Sequence, residues 1–322
     1  MTTAILPKNP DFNRACELID SDDQNIWQPV VSYICQQHDI EETPFRCING
    51  WANGIFMLEN QLLIKIVPPN WIAQANSEIE ALTLLTDYNL PVAIPRIKAT
   101  GDINGWRYIV MDKLPGTNLH DILPELAVEN KIQIAKQVAQ FARQLNQYPL
   151  SSRQLTTANS ALKLDWPNFL LKQRENVYES RKKQGLSAVL LADLLPFFDS
   201  CEYQAKSDLF NQGKPCLIHC DLHPGNLLAE KIGDSWQLSG VIDFGDAVIG
   251  TDPYFELTSP LLFLGQANKS INQAFLDSYG LTMTVDERQA FQQHLLVISL
   301  LRHSSDIGYP LKQVPGCTEL AD

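Results

Sequence analysis

Two apolar runs that each break into a polar turn constrain this 322-residue chain more than any other feature. The first, Pro215-Cys216-Leu217-Ile218, opens into His219-Cys220-Asp221-Leu222-His223-Pro224-Gly225-Asn226. The second ends at Val241-Ile242 and opens into Asp243-Phe244-Gly245-Asp246. Between them Leu227-Leu228 leads away, Gly233-Asp234-Ser235 turns the chain, and residues 236–242 return, the pattern of a β-hairpin between two strand ends.

An H-x-D-x-x-x-x-N turn followed by a D-F-G turn supplies two carboxylates and an amide oxygen. Hard oxygen donors suit magnesium, which keeps several waters and takes few protein ligands alongside substrate phosphates. Phosphoryl transfer needs one carboxylate to receive the proton of the attacking hydroxyl. It also needs an amide oxygen and a second carboxylate to hold the metal against the phosphates. Asp221 is the candidate catalytic residue, and Asn226 and Asp243 are the candidate metal ligands. Each string alone is short, and Asp or Asn in a turn usually bonds its own backbone. Their order, each after an apolar strand, is what points to a nucleotide site. Zinc is the competing reading of Cys216, His219, Cys220 and His223, but no second Cys/His pair lies nearby.

The two strings resemble the H-G-D-x-x-x-x-N and I-D-x-x-x-x-x-x-G-D-P patterns of the aminoglycoside phosphotransferase and choline kinase-like superfamily. The second runs here from Ile242-Asp243 to Gly250-Thr251-Asp252-Pro253. The likeness extends more weakly over about residues 40–300. Two positions depart from the pattern: Cys220 stands where Gly is commoner, and Glu256 where Asp is usual. The resemblance implies an α+β, two-lobed protein-kinase-like fold. Its small N-terminal lobe is an antiparallel β-sheet with one helix, and its larger C-terminal lobe is mainly helical. ATP or GTP with Mg2+ is the implied cofactor set.

The chain divides accordingly into a helical preface (1–40), a nucleotide-binding N-lobe (41–114) and a C-lobe (115–322). The C-lobe carries a helical insertion at about 150–212 and the catalytic loop at 219–246. In the preface Ile26, Val30, Val31 and Ile34 recur at helical spacing after Ser21-Asp22-Asp23. Strands are expected at 55–58 and 62–67. Before them, Asn49-Gly50-Trp51-Ala52-Asn53-Gly54 resembles the family's phosphate-covering loop, with Gly50 and Asn53 as the expected contacts. Lys65 sits inside an apolar strand. Such a lysine is usually an edge residue with its head in water, but in a kinase small lobe it reaches the α- and β-phosphates. On the helix at 76–86, Glu78 and Glu80 lie on different helical faces, so only one can point at Lys65, and the resemblance to the family implies Glu78.

Residues 90–97 resemble the family's L-P-V-P segment, and Asn104-Gly105 marks a hairpin turn. The strand that follows ends at Asp112-Lys113-Leu114, placed as the hinge between lobes. Met111 would line the adenine pocket, and backbone groups of Asp112 and Leu114 would bond the base edge. Val128, Ile132, Ala135, Val138, Ala139, Ala142 and Leu145 mark a long core helix. In the insertion, Arg181-Lys182-Lys183 reads as a solvated face. Helices are expected again over 255–264, 271–279 and 285–299.

The formal net charge is −12, with a sequence pI near 4.9. Nucleic-acid phosphates gain nothing from such a surface. No apolar run reaches membrane-spanning length, so a cytoplasmic monomer or homodimer is expected. The seven scattered cysteines read as reduced thiols. The expected partner is a small-molecule hydroxyl acceptor. An amine-bearing, cationic alcohol suits the charge, with Asp165, Glu175, Asp306 and Asp322 as candidate carboxylates. A protein kinase would need an activation segment ending in A-P-E, and only Gly250-Thr251-Asp252-Pro253 follows the D-F-G turn. A nucleotide-binding pseudokinase or sensor is the alternative from another class, and the intact Lys65, Asp221, Asn226 and Asp243 argue against it.

Overall fold

The computed structural model describes residues 6–49, 53–200 and 213–302 and divides into two compact units. The first comprises Met1–Asn89, Ala93–Pro115 and Ile242–Asp246. It holds α1 (Phe12–Ile19), α2 (Gln24–Gln37), β1 (Phe45–Asn49), β2 (Gly54–Leu58), β3 (Leu62–Val67), α3 (Ile72–Leu84), β4 (Ile97–Ile103) and β5 (Trp106–Asp112). The strands form one antiparallel sheet in the order β1-β2-β3-β5-β4. Asp23 begins α2 by accepting the Asn25 N–H at 2.9 Å. The apolar stripe of α2 (Trp27, Val30, Val31, Ile34) then packs on Phe56, Ile64, Ile66, Tyr108 and Val110 of the sheet. Side chains alternate along a strand. Ile64 and Ile66 therefore serve the α2 face, and Lys65 between them points to the opposite one. Asn104 (φ 53°) and Gly105 (φ 89°) make the β4–β5 turn in the left-handed conformation that such two-residue hairpins require.

The second unit comprises Leu90–Val92, Gly116–Val241 and Ala247–Asp322. Its helices are α4 (Leu119–Ile122), α5 (Val128–Asn146), α6 (Ser152–Thr156), α7 (Trp166–Lys183), α8 (Ala188–Ser200), α9 (Lys269–Tyr279) and α10 (Val285–Leu301). Its strands are β6 (Thr117–Asn118), β7 (Cys216–Ile218), β8 (Leu227–Ile232), β9 (Ser235–Val241) and β10 (Val248–Gly250). They form a β6-β8-β9 sheet and a β10-β7 pair. The fully buried side of α5 includes Ile134, Ala135, Val138, Phe141, Ala142 and Leu145. Its polar residues cover strands as well. Asn130 Oδ1 and Gln137 Oε1 accept the Trp236 and Leu238 N–H groups of β9 at 3.0 and 2.9 Å. Asn146 Nδ2 donates to the Leu217 carbonyl of β7 at 2.9 Å, and the Tyr279 hydroxyl fixes Asn146 from α9 at 2.8 Å.

The segment expected as one helix over 255–264 differs. It is a 3-10 turn at Pro253–Glu256 followed by a π-helical turn at Pro260–Leu264. Pro260 has no N–H to continue an α-helical ladder, and the Gly265 N–H reaches back five residues to the Pro260 carbonyl at 3.0 Å. No described helix is long and apolar enough to cross a membrane.

Candidate active site

The first unit builds a buried cation between two carboxylates. Lys65, 5% exposed, lies on β3 with its Nζ 2.7 Å from Glu78 Oε2 on α3 and 2.9 Å from Asp243 Oδ1. Burial alone would lower the Lys65 pKa. The Glu78 and Asp243 charges outweigh it and hold the ammonium above its ordinary range. Glu78 is 2% exposed, whereas Glu80, on another helical face, is half-buried. Asp243 has φ 63°, a left-handed conformation that Asp tolerates better than most residues, and its Oδ1 also accepts the Gly245 N–H at 3.3 Å. Gly245 itself lies tight against α3: an added Cβ would sit 3.2 Å from Asp243 Oδ1 and 3.4 Å from Gln74 Cβ. Gln74 Nε2 holds Asp246 Oδ1 at 3.0 Å.

Of the residues expected at the base edge, Met111 is buried at 4% exposure within β5. The Asp112 N–H is committed to the Arg96 carbonyl at 3.0 Å and its carboxylate to Lys98 at 3.0 Å. The Asp112 N–H is thus already engaged within the sheet edge. Leu114 is half-buried. Asn53 is half-buried too, with an Oδ1 that meets no partner among the described residues. Gly50, with Trp51 and Ala52, lies outside the described residues.

The second unit builds the H-x-D loop. His219 is fully buried, and its Nδ1 accepts the Asp221 N–H at 3.2 Å. Its own N–H donates to Glu256 Oε2 at 2.5 Å. Glu256 is 0% exposed, and burial pushes its carboxyl up to about 7. His223 Nδ1 accepts the Gly225 N–H at 3.0 Å, which leaves the proton on Nε2, 3.4 Å from Asp221 Oδ2. Gly225 is needed by space, because a Cβ there would lie 2.6 Å from the His223 ring. Burial works to raise the Asp221 pKa, but the hydrogen bond from His223 and the electrostatic influence of the two His rings and the Arg302 guanidinium outweigh it. Asp221 is held below the usual carboxylate range. Asn226, 7% exposed, donates its Nδ2 to Asp221 Oδ2 at 2.9 Å and to the Asp221 carbonyl at 3.0 Å. That commitment turns its Oδ1 into the amide's outward acceptor. A hard neutral oxygen on Asn226 and a carboxylate on Asp243 are donors that fit magnesium.

The side chains that could suggest zinc are used otherwise. The His219 and His223 rings accept backbone N–H groups, and Cys216 Sγ lies 3.6 Å from the Gly250 carbonyl. Burial pushes the Cys216 thiol up to about 12, so it stays protonated. Asp252 caps the Pro253 turn through the Tyr254 N–H at 3.1 Å and holds His294 Nε2 at 2.8 Å.

One expectation is corrected by the structure. Arg181 is not on a solvated face: it is 0% exposed, with its guanidinium against the last carbonyls of α10. Of the candidate acceptor carboxylates, Asp165 is the N-cap of α7, where its Oδ1 accepts the Asn168 N–H at 3.3 Å. Glu175 is exposed, and Asp306 and Asp322 lie outside the described residues. Sequence reasoning missed Asn146, Arg181 and Arg302. For Asn146 a signal existed, an amide directly after the last apolar residue of the α5 stripe, Leu145. Nothing near Arg302 in the sequence marks it.

Residues 46–291 match the phosphotransferase enzyme family. No curated protein sequence matches the chain. Among solved structures, the GDP complex of wild-type aminoglycoside 2'-phosphotransferase-IIIa is similar, with 22% identity over 89% of this chain and 96% of that one and a TM-score of 0.67. The streptomycin–ATP–APH(2")-IIa ternary complex is 18% identical over 84% of this chain and 88% of that one, at a TM-score of 0.60. Aminoglycoside phosphotransferase APH(3'')-Id from Streptomyces rimosus, with ADP and streptomycin, is 17% identical over 84% and 98%, at 0.56. These likenesses carry the fold, that of the protein kinases with an antiparallel sheet before a mainly helical part. With more than half of its length matched by the family, the chain belongs to the phosphotransferase enzyme family, the nucleotide-dependent small-molecule kinases of the aminoglycoside phosphotransferase and choline kinase-like superfamily.

Proposed function

We propose that this enzyme moves the γ-phosphoryl group of ATP or GTP to a hydroxyl of an amine-bearing small molecule. The buried Lys65 clamped between Glu78 and Asp243 carries the reading. A cation costs free energy to bury, and a second carboxylate drawn from 178 residues away suits a site that handles phosphate and metal together. Lys65 would hold the α- and β-phosphates, with Glu78 fixing its direction. Asn226 and Asp243 would hold magnesium, which when bound neutralises charge developing on the phosphates. Asp221, kept ionised, would accept the hydrogen bond of the acceptor hydroxyl, orient its oxygen and take its proton. The net charge of −12 favours a cationic acceptor. Streptomycin, gentamicin and kanamycin appear in complexes of the structural relatives, which supports the same class.

Nucleotide-dependent release of ADP or GDP across a panel of aminoglycosides, amino alcohols and neutral sugars tests the reading. Asp221→Asn should bind nucleotide as the parent does and lose transfer by roughly 100-fold or more, the usual contribution of a positioned general base. Transfer at the parent rate would remove Asp221 from the chemistry. Turnover of neutral or anionic acceptors alone would sink the amine.

A further inference from the structure

The Cys220–Asp221 peptide is held from outside its own loop by an arginine at the end of α10. Cys220 has φ 66°, a left-handed conformation that L side chains rarely adopt. Arg302, the first residue past α10, is 7% exposed. Its guanidinium lies 5.5 Å from the Phe255 ring centroid. One terminal nitrogen donates to Thr258 Oγ1 at 2.8 Å and to the Phe255 carbonyl at 3.4 Å. The other donates to the Cys220 carbonyl and lies 4.0 Å from Asp221 Oδ1. A single planar fork thus grips the strained carbonyl on one side of Asp221 and faces its carboxylate on the other.

Arg302 is itself held. Arg181, fully buried on α7 of the helical insertion, donates Nε to the Leu300 carbonyl at 3.0 Å and a terminal nitrogen to the Ser299 carbonyl at 2.9 Å. The same nitrogen donates to the Arg302 carbonyl. The last carbonyls of a helix lack intrahelical partners and carry its negative end, so a guanidinium there satisfies hydrogen bonds and charge at once. Another Arg181 nitrogen is fastened to Gln184 Oε1 at 2.6 Å.

We propose that Arg302 is a positioning residue for Asp221, and that Arg181 sets Arg302 by fixing the end of α10. The helical insertion thereby determines where the reacting carboxylate stands. Lysine cannot substitute, because an ammonium presents no fork that reaches Thr258 and Cys220 together. The inference rests on the role assigned to Asp221 above.

The test compares kcat and KM in the full-length enzyme, with an acceptor the parent turns over, for Arg302→Lys, Arg302→Gln and Arg181→Gln. Displacement of a reacting group by about 1 Å costs on the order of 100-fold. Each variant should lose roughly 10- to 100-fold in kcat while its nucleotide KM stays within about twofold. Adding Cys220→Gly to Arg302→Gln should restore part of that loss, because glycine takes the left-handed conformation without the arginine to hold it. Parent kcat in Arg302→Gln, equal losses in nucleotide KM and kcat, or no restoration by Cys220→Gly would each overturn the proposal. Should Arg302→Gln not fold, Arg302→Lys and Arg181→Gln carry the same comparison. An inactive parent would defeat the phosphotransfer reading and leave this one to thermal unfolding. There, non-additive Tm shifts between positions 220 and 302 support it and additive shifts overturn it.

Discussion

At the scale of single residues, the buried cations Lys65, Arg181 and Arg302 are each matched to carboxylates or to backbone carbonyls. Lys65 sits between two carboxylates, and Arg181 and Arg302 lie against carbonyls. Glu256 differs because burial pushes its carboxyl up to about 7 from an ordinary value of 4.5. Between those values the folded protein holds a proton that the unfolded chain has released. This contribution to stability is fully present below about pH 4.5 and is lost as pH rises through about 7, at most about 3 kcal/mol. Glu256→Gln keeps an oxygen acceptor for the His219 N–H and carries no titrating proton. Urea unfolding at about pH 5 and about pH 8 should therefore show the parent losing stability relative to the variant on going to the higher pH. A parent that gained on the variant would contradict the burial of Glu256 in its neutral form.

At the scale of elements, α2, α5 and the β8–β9 hairpin are local patterns. An apolar stripe every three to four residues, or strands joined by a Gly-Asp-Ser turn, specifies them without distant help. The Pro260–Leu264 turn is different. Its apolar run reads as an ordinary helix, whereas the chain winds as a π-turn from Pro260, which has no N–H to donate, to the Gly265 N–H five residues on. Gly265 closes it at φ −71°, where any residue is comfortable, so glycine is present for space. A Cβ there would run into Asn272 Oδ1 and stand 2.7 Å from the Leu261 carbonyl. The side chain can move and the backbone cannot. Gly265→Ala should destabilise by about 1–3 kcal/mol, measured as a lower urea midpoint at unchanged m-value. Parent stability would mean that the turn relaxes freely.

At the scale of the whole molecule, chain order and compact units do not coincide. Ile242–Asp246 belongs to the first unit, although the 126-residue run Gly116–Val241 before it belongs to the second. Ligand linkage gives a test that spans the chain. A hundredfold excess of magnesium and ATP over the dissociation constant should raise stability by about 2.7 kcal/mol, seen as a higher Tm. Asp243→Ala should abolish the magnesium-dependent part, since Asn226 alone offers one neutral oxygen. A Tm rise with magnesium that survives in the variant would take Asp243 out of the metal site.

The amino-acid sequence by itself determined the chemistry on offer and the local elements that carry it. His219, Asp221 and Asn226 fall within eight residues of one loop, and strand alternation with helical phase sends Lys65 and Glu78 to each other. Such relations depend on backbone geometry over a few residues, which composition and spacing encode. Tertiary structure alone decided that Arg181 is buried, that Asn146 holds the Leu217 carbonyl, and that Arg302 grips Cys220. These contacts join positions 119, 71 and 82 residues apart. A cation in a polar run looks solvated until a helix end with unpaired carbonyls is packed against it, and the energy that buries it exists only after that packing.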